Sequence, residues 1–107
     1  MKTVTHSPSW AESDNPVSLS TLKRTRYVAP KYPYSAERRG ISGWVDLVFT
    51  VDIDGTVRDV VVRNADPADV FDNAAISAVE DWEFEPVLEN GVAIQKRAAV
   101  RMMFTVE

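Results

Sequence analysis

Few side chains in this sequence of 107 residues are able to do chemistry, and they form no known catalytic set. There is no cysteine and the single histidine is His6, which excludes thiolate nucleophiles, zinc–thiolate sites and histidine-based catalysis. The main acidic cluster is Glu80, Asp81, Glu83 and Glu85. Paired carboxylates can act as a general acid and base, but we favour a solvated helix end for this cluster. The sequence therefore predicts no enzyme, no metal site and no cofactor.

Two further patterns have both a ligand-binding and a structural interpretation. Asp52-x-Asp54-Gly55 resembles part of a calcium loop, but it lacks the third acidic position before the glycine and the distant glutamate. A hairpin turn explains it better. Trp44, Trp82 and Phe84 are candidates for an aromatic cage. Core packing is the better interpretation of Trp82, whereas both interpretations stay open for Trp44.

The charge distribution argues against a nucleic-acid partner. Residues 1–33 hold five basic and two acidic residues, a net charge of +3, whereas residues 34–107 hold seven basic and fourteen acidic residues, a net charge of -7. An acidic compact region does not suit a phosphate backbone. No apolar stretch reaches the roughly 20 residues that a membrane helix needs. The length and composition indicate a single globular domain.

Residues 1–29 are predicted to be a flexible tail or linker, and residues 30–107 a domain. The first part has turn-forming prolines and sparse apolar residues, of which Trp10, Val17 and Leu19 are candidates for docking on the domain. The paired prolines Pro30 and Pro33 favour extended backbone.

Alternation of apolar and polar residues predicts three strands. The first covers residues 45–53, the second residues 56–64 after an Asp54-Gly55 type I′ turn, and the third residues 97–106. The buried face of the first strand is predicted to carry Val45, Leu47, Phe49, Val51 and Ile53. Arg58 is expected at an irregularity near the turn. Ser35 is expected to cap a short helix over residues 35–39 that Gly40 ends, and Asp66-Pro67 to open a long one that Pro86 stops. One apolar stripe marks the long helix: Phe71, Ala74, Ala75, Ala78, Val79 and Trp82.

These elements predict an α+β fold. A three-stranded antiparallel sheet has the order 2-1-3, with the short N-terminal helix before it and the long helix packed on one face. The third strand is then an edge strand. Because an edge presents unpaired N–H and C=O groups, another strand can pair with it.

The ordered motifs resemble one family. They are Tyr32-Pro33, Gly43-Trp44-Val45, Val51-Asp52-Ile53-Asp54-Gly55 and Ala78-Val79-Glu80-Asp81-Trp82-Glu83-Phe84-Glu85-Pro86, followed by a final strand that includes Phe104. With these motifs at the family's spacing, residues 30–107 are similar to the C-terminal domain of TonB-type energy transducers.

The resemblance implies a function. Such proteins are anchored in the inner membrane, reach into the periplasm and couple the proton-motive force to active nutrient uptake, for example of iron–siderophores. Their C-terminal domain captures the "TonB box" of a TonB-dependent outer-membrane receptor as an added strand. The ExbB–ExbD complex would be a partner only through a membrane anchor that this sequence does not contain.

The resemblance and the edge strand give the partner-binding residues. They are Arg97, Ala98, Ala99, Val100, Arg101, Met102, Met103, Phe104, Thr105 and Val106 of the last strand, with Tyr32 and Pro33. For Tyr32 and Pro33 we favour a structural role. Residues 25–31 lack the glutamine that relatives often carry, so receptor contacts from this stretch are not predicted. The hypothesis requires that the rim of the last strand has no permanent neighbour from the same chain.

Two alternatives remain open. An open edge can also pair with a second copy, which would make the domain a self-associating scaffold or a homodimer. TonB-like folds also occur as sensory modules of signalling proteins.

Overall fold

The computed structural model describes residues 2–6, 17–18 and 21–106. In chain order the elements are β1 (Lys2–His6), β2 (Val17–Ser18), β3 (Arg24–Arg26), α1 (Tyr34–Arg38), β4 (Gly43–Val51), β5 (Val57–Asp66), α2 (Asp72–Glu80), β6 (Glu83–Phe84), β7 (Val87–Glu89), β8 (Val92–Ile94) and β9 (Lys96–Thr105).

The three predicted strands are β4, β5 and β9, and their predicted arrangement is confirmed. They form an antiparallel sheet in the order β5-β4-β9, with β4 in the centre. The pairing of β4 with β9 runs without a register shift from Gly43 opposite Phe104 to Val51 opposite Lys96. This unbroken ladder holds β9 in a single register against β4.

The core lies between one face of this sheet and α2. Alternate residues of β4 and β9 are fully buried there, and so are the helix residues Ala75, Ala78 and Val79. Phe71 stacks on Phe104 with ring centroids 4.4 Å apart. The predicted apolar stripe is therefore the core-facing side of α2. Ile53, which we expected in the core, is 55% exposed because β4 ends at Val51.

The β4–β5 hairpin forms where it was predicted, but with a different turn. The Gly55 N–H donates to the Asp52 carbonyl (2.9 Å), and the Asp52 N–H donates to the Thr56 carbonyl (2.8 Å). Gly55 alone has a positive φ (88°) in this loop, which indicates a three-residue loop rather than a two-residue type I′ turn. A Cβ at Gly55 would lie 2.0 Å from the Phe84 carbonyl oxygen. The close approach of β6 therefore also requires glycine here.

Both helices start at other residues than predicted. The short helix begins at Tyr34 with Pro33 rather than Ser35 at the N-cap, and Gly40 follows it with φ of 67°, as its predicted stop requires. The long helix begins at Asp72, not at Pro67, because β5 continues to Asp66 and residues 67–71 form a turn.

The ordered part of the chain also begins earlier than residue 30. β3 pairs with β6, and the Arg24 guanidinium lies 4.3 Å from the Tyr27 ring centroid and 4.6 Å from that of Trp82. The Trp82 indole N–H donates to the Val28 carbonyl (2.8 Å). These contacts attach residues 24–28 to the buried Trp82.

Candidate binding edge

The outer edge of β9 is not open, which corrects the prediction for this strand. β1 pairs antiparallel with it from Lys2 opposite Thr105 to His6 opposite Arg101. β2 pairs parallel with it, with Val17 opposite Ala98 and Ser18 opposite Ala99. The segment that we expected to be a flexible tail therefore supplies two strands to the sheet. Among the proposed docking residues, Val17 contacts the core, whereas Trp10 and Leu19 lie outside the described residues.

The ladder of β4 shows which backbone groups of β9 face outward. The Asp52 N–H donates to Thr56 on the β5 side. Because backbone groups of successive residues in a strand point to opposite sides, the N–H and C=O groups of the odd-numbered residues of β4 point towards β9. Their partners in β9 are the even-numbered residues, whose backbone groups therefore point towards β4. The even-numbered Val106 follows the same rule, because its N–H donates to Ser42 Oγ (3.2 Å) on the β4 side. The N–H and C=O groups of Arg101, Met103 and Thr105 therefore face β1.

The opposite edge of the sheet, formed by β5, is irregular. Its pairing with β4 shifts register twice, and Asp59 has a positive φ of 54°. The register shift between Val48 and Thr50 lies beside Arg58, which confirms the predicted irregularity near the turn. Four exposed charged residues line this strand: Arg58, Asp59, Arg63 and Asp66. Bulges and charges of this kind hinder the addition of another strand.

The predicted binding residues divide between two faces of β9. Ala98, Val100, Met102 and Phe104 have their side chains in the core and their backbone N–H and C=O groups directed to β4, so they offer an added strand neither. Arg97, Ala99, Arg101, Met103 and Thr105 lie on the other face of the sheet. Ala99 is buried there with Val48, whereas Arg97 and Thr105 are exposed. A strand added to this edge would meet the side chains of this second face.

Two side chains of the neighbouring strand β4 fix the position of the Arg101 guanidinium. Its Nε and Nη2 atoms donate to the two carboxylate oxygens of Asp46 (2.7 and 2.9 Å), and its guanidinium lies 4.1 Å from the Trp44 ring centroid. The hydrogen bonds to Asp46 raise the pKa of Arg101. Arg101 is therefore a fixed positive charge on this face. Trp44 and Trp82 lie on opposite faces of the sheet, which rules out the aromatic cage.

Tyr32 is packed inside the domain. Its ring meets Phe71 and Phe104 edge-on at centroid distances of 5.4 and 5.9 Å, and its hydroxyl donates to the Ile41 carbonyl. These contacts agree with a structural role for the Tyr32-Pro33 pair. A receptor contact at these two residues stays a prediction.

The carboxylates that suggested chemistry have structural partners. Asp52 accepts hydrogen bonds from the Ile53 N–H (2.8 Å) and from the Gln95 amide (3.1 Å), which lower its pKa. The hydroxyl and N–H of Thr56 do the same for Asp54. In the described part of the chain, no cluster of three or more acidic or histidine side chains is arranged to hold a metal ion.

Two of the four carboxylates in the acidic cluster pair with basic residues of the N-terminal segment. Glu83 lies 3.4 Å from Arg26, and Glu85 lies 3.5 Å from Lys23. Both pairs are exposed, so each contributes at most about 1 kcal/mol to the free energy of unfolding.

The family follows from the match over most of the chain. The sequence profile described as "Gram-negative bacterial TonB protein C-terminal" matches residues 28–106. The chain belongs to the TonB C-terminal family. The TonB protein of Pseudomonas aeruginosa is 34% identical over 88 residues, which are 82% of this chain and 26% of that protein. The TonB protein of Xanthomonas campestris is 36% identical over 75 residues, which are 70% of this chain and 34% of that protein.

Solved TonB structures share this fold. The solution structure of the Pseudomonas aeruginosa TonB C-terminal domain aligns with a TM-score of 0.74 and 33% identity, over 88% of this chain and 97% of that one. A TonB2 protein from Vibrio anguillarum aligns with a TM-score of 0.62 and 30% identity, over 89% and 86% of the two chains. The TonB family thus confirms both the predicted fold and the interpretation that the domain is not an enzyme.

The chain spans about a quarter to a third of the length of the TonB relatives it matches. Within the described residues, no helix is long and apolar enough to cross a membrane.

Proposed function

We propose that this domain captures the TonB box of an outer-membrane receptor as an added strand along the outer edge of β9. The domain would act in the periplasm, as part of a transducer anchored in the inner membrane. Through that anchor and the ExbB–ExbD complex, the proton-motive force would drive uptake of a nutrient such as an iron–siderophore. Membership of the TonB family supports this assignment.

The geometry of β9 is the observation on which the proposal rests. β9 is an unbroken ten-residue strand, and its outer edge is regular enough to accept the five residues of β1 in register. A receptor segment would use the same outward backbone groups of Arg101, Met103 and Thr105. Backbone hydrogen bonds supply affinity in this mode, and side chains of the second face adjust specificity.

An amide titration of the complete, isotope-labelled chain tests the proposal. The ligand is a synthetic peptide that carries the TonB box of an outer-membrane receptor, and a scrambled peptide is the control. We expect the largest backbone amide shifts at residues 98–106. Shifts confined to β5, or no shifts at saturating peptide, would contradict the proposal.

Self-association would use the same edge. A second copy of the chain offers an identical β1, so an exchange of N-terminal strands could form a homodimer. Sedimentation at rising protein concentration separates the two functions. A tight dimer that does not respond to the TonB box peptide favours the scaffold. A sensory role in a signalling protein would show in the domains that the native gene encodes beside this one.

A further inference from the structure

Two strands, β1 and the proposed receptor segment, would pair with the same outer edge of β9. β1 takes up the outward backbone groups over residues 101–105, which are the groups that a receptor segment needs. An N–H group at a sheet edge can donate to only one neighbouring strand at a time. Pairing with β1 and pairing with a receptor strand are therefore mutually exclusive over these residues.

The strand β1 is a short strand at the end of the sheet. It is five residues long and lies at the end of the strand order, so β9 is its only partner among the described strands. Short edge strands of this kind open locally at low free-energy cost.

The connection to β2 keeps β1 close to its site. Ten residues, 7–16, separate His6 from Val17, and these two residues pair with β9 three positions apart, at Arg101 and Ala98. A short tether gives an intramolecular strand a high effective concentration at its site. A receptor segment must therefore compete with a strand that is always present.

We propose that Lys2–His6 is a built-in competitor that closes the outer edge of β9 until a partner strand displaces it. The proposal rests on the function assigned above, since the displacing strand is the TonB box. Displacement would free Arg101–Thr105 for the receptor and leave the contact of Val17 with the core in place. The closed form lowers the apparent affinity for any added strand by the fraction of molecules in which the edge is free.

The substitution Val4→Pro in the complete chain tests the competitor. Val4 lies opposite Met103, whose N–H faces β1, so the two residues form a hydrogen-bonded pair and proline removes the Val4 N–H. Val4→Ala keeps that N–H and is the matched control. Without any peptide, we expect hydrogen exchange at the amides of Arg101, Met103 and Thr105 to be about tenfold faster in Val4→Pro and unchanged in Val4→Ala.

A peptide of residues 1–8 of this chain, added in trans, provides a readout that does not depend on a receptor. If nine-tenths of the wild-type molecules are closed, this peptide binds Val4→Pro about tenfold more tightly than the wild type or Val4→Ala. The TonB box peptide should show the same ratio. Failure of the TonB box peptide with all three chains, while the self-peptide discriminates them, would reject the receptor assignment and keep the competitor.

Three outcomes would overturn the competitor itself. One is unchanged exchange at Arg101, Met103 and Thr105 in Val4→Pro. Another is equal affinity of the self-peptide for Val4→Pro and the wild type. The third is edge protection that increases with protein concentration, because that dependence shows pairing between two copies rather than within one chain.

Discussion

Replacement of Trp82 by alanine is expected to lower the free energy of unfolding by about 3–5 kcal/mol, a large part of the roughly 5–15 kcal/mol available to a domain. Trp82 is 1% exposed and packs against Phe49 and Phe84 with ring centroids 6.4 Å away in each case. The substitution leaves a cavity and removes the hydrogen-bond donor for the Val28 carbonyl. Urea denaturation of the wild type and the variant measures the loss.

Two control variants separate the contributions. Trp82→Phe keeps an aromatic ring but removes the indole N–H, so its loss should be smaller than that of Trp82→Ala. Leu88→Ala removes an apolar side chain that is 64% exposed and should change the free energy of unfolding by at most about 0.5 kcal/mol. A loss below about 1 kcal/mol for Trp82→Ala would contradict the packing described for this residue.

Proline at position 103 is expected to weaken binding of the TonB box peptide by about tenfold or more, since it removes one edge hydrogen bond and places a ring in the path of the added strand. The Met103 N–H faces away from β4, so the substitution leaves the β4–β9 ladder intact. The comparison is best made on the Val4→Pro chain, in which β1 no longer competes for the edge. Titration calorimetry measures the dissociation constant of each variant.

Met103→Ala is the matched control, because alanine keeps the N–H and changes only the side chain. Thr105→Pro repeats the test at another outward N–H nearer the end of β9. Far-ultraviolet circular dichroism and urea denaturation show whether each proline variant keeps its fold. Equal affinities of folded Met103→Pro and Met103→Ala would place the binding site elsewhere.

The central sheet was predictable because its signals are long and local. Nine consecutive residues of β4 alternate between core and outer face, an Asp-Gly pair follows, and six apolar residues recur at helical spacing. The hairpin and the helix that carries the chain back across the sheet gave the order of the strands. Pattern alone placed Ile53 in the core, because alternation does not show where the hydrogen-bonded turn begins.

The N-terminal contacts were not predictable from local pattern. β2, β3 and β6 have two or three residues each, too few to show a period, and the partners of β1 lie about a hundred positions away along the chain. The stacking of Arg24 on Trp82 likewise joins residues 58 positions apart. The opposite net charges of the two segments and the apolar residue Val17 gave signals of contact, but neither specifies register.

The candidate edge was thus half predictable. The sequence identified β9 as an outer strand of the three-stranded sheet, and the order β5-β4-β9 agrees. The structure adds that the other edge, β5, is interrupted by bulges and charged residues. What the sequence did not show is the presence of β1 on that edge. Backbone pairing depends little on side-chain identity, so five residues such as Lys-Thr-Val-Thr-His do not reveal which strand they join.

Hydrogen exchange of the Val4→Pro chain, with and without the TonB box peptide, tests the role of the β9 edge most directly. The peptide should slow exchange at the outward amides of Arg101, Met103 and Thr105. The amides of Met102 and Phe104, which already bond to β4, should not change. Slower exchange in β5, or bound peptide without any protection of the three outward amides, would contradict strand capture at β9.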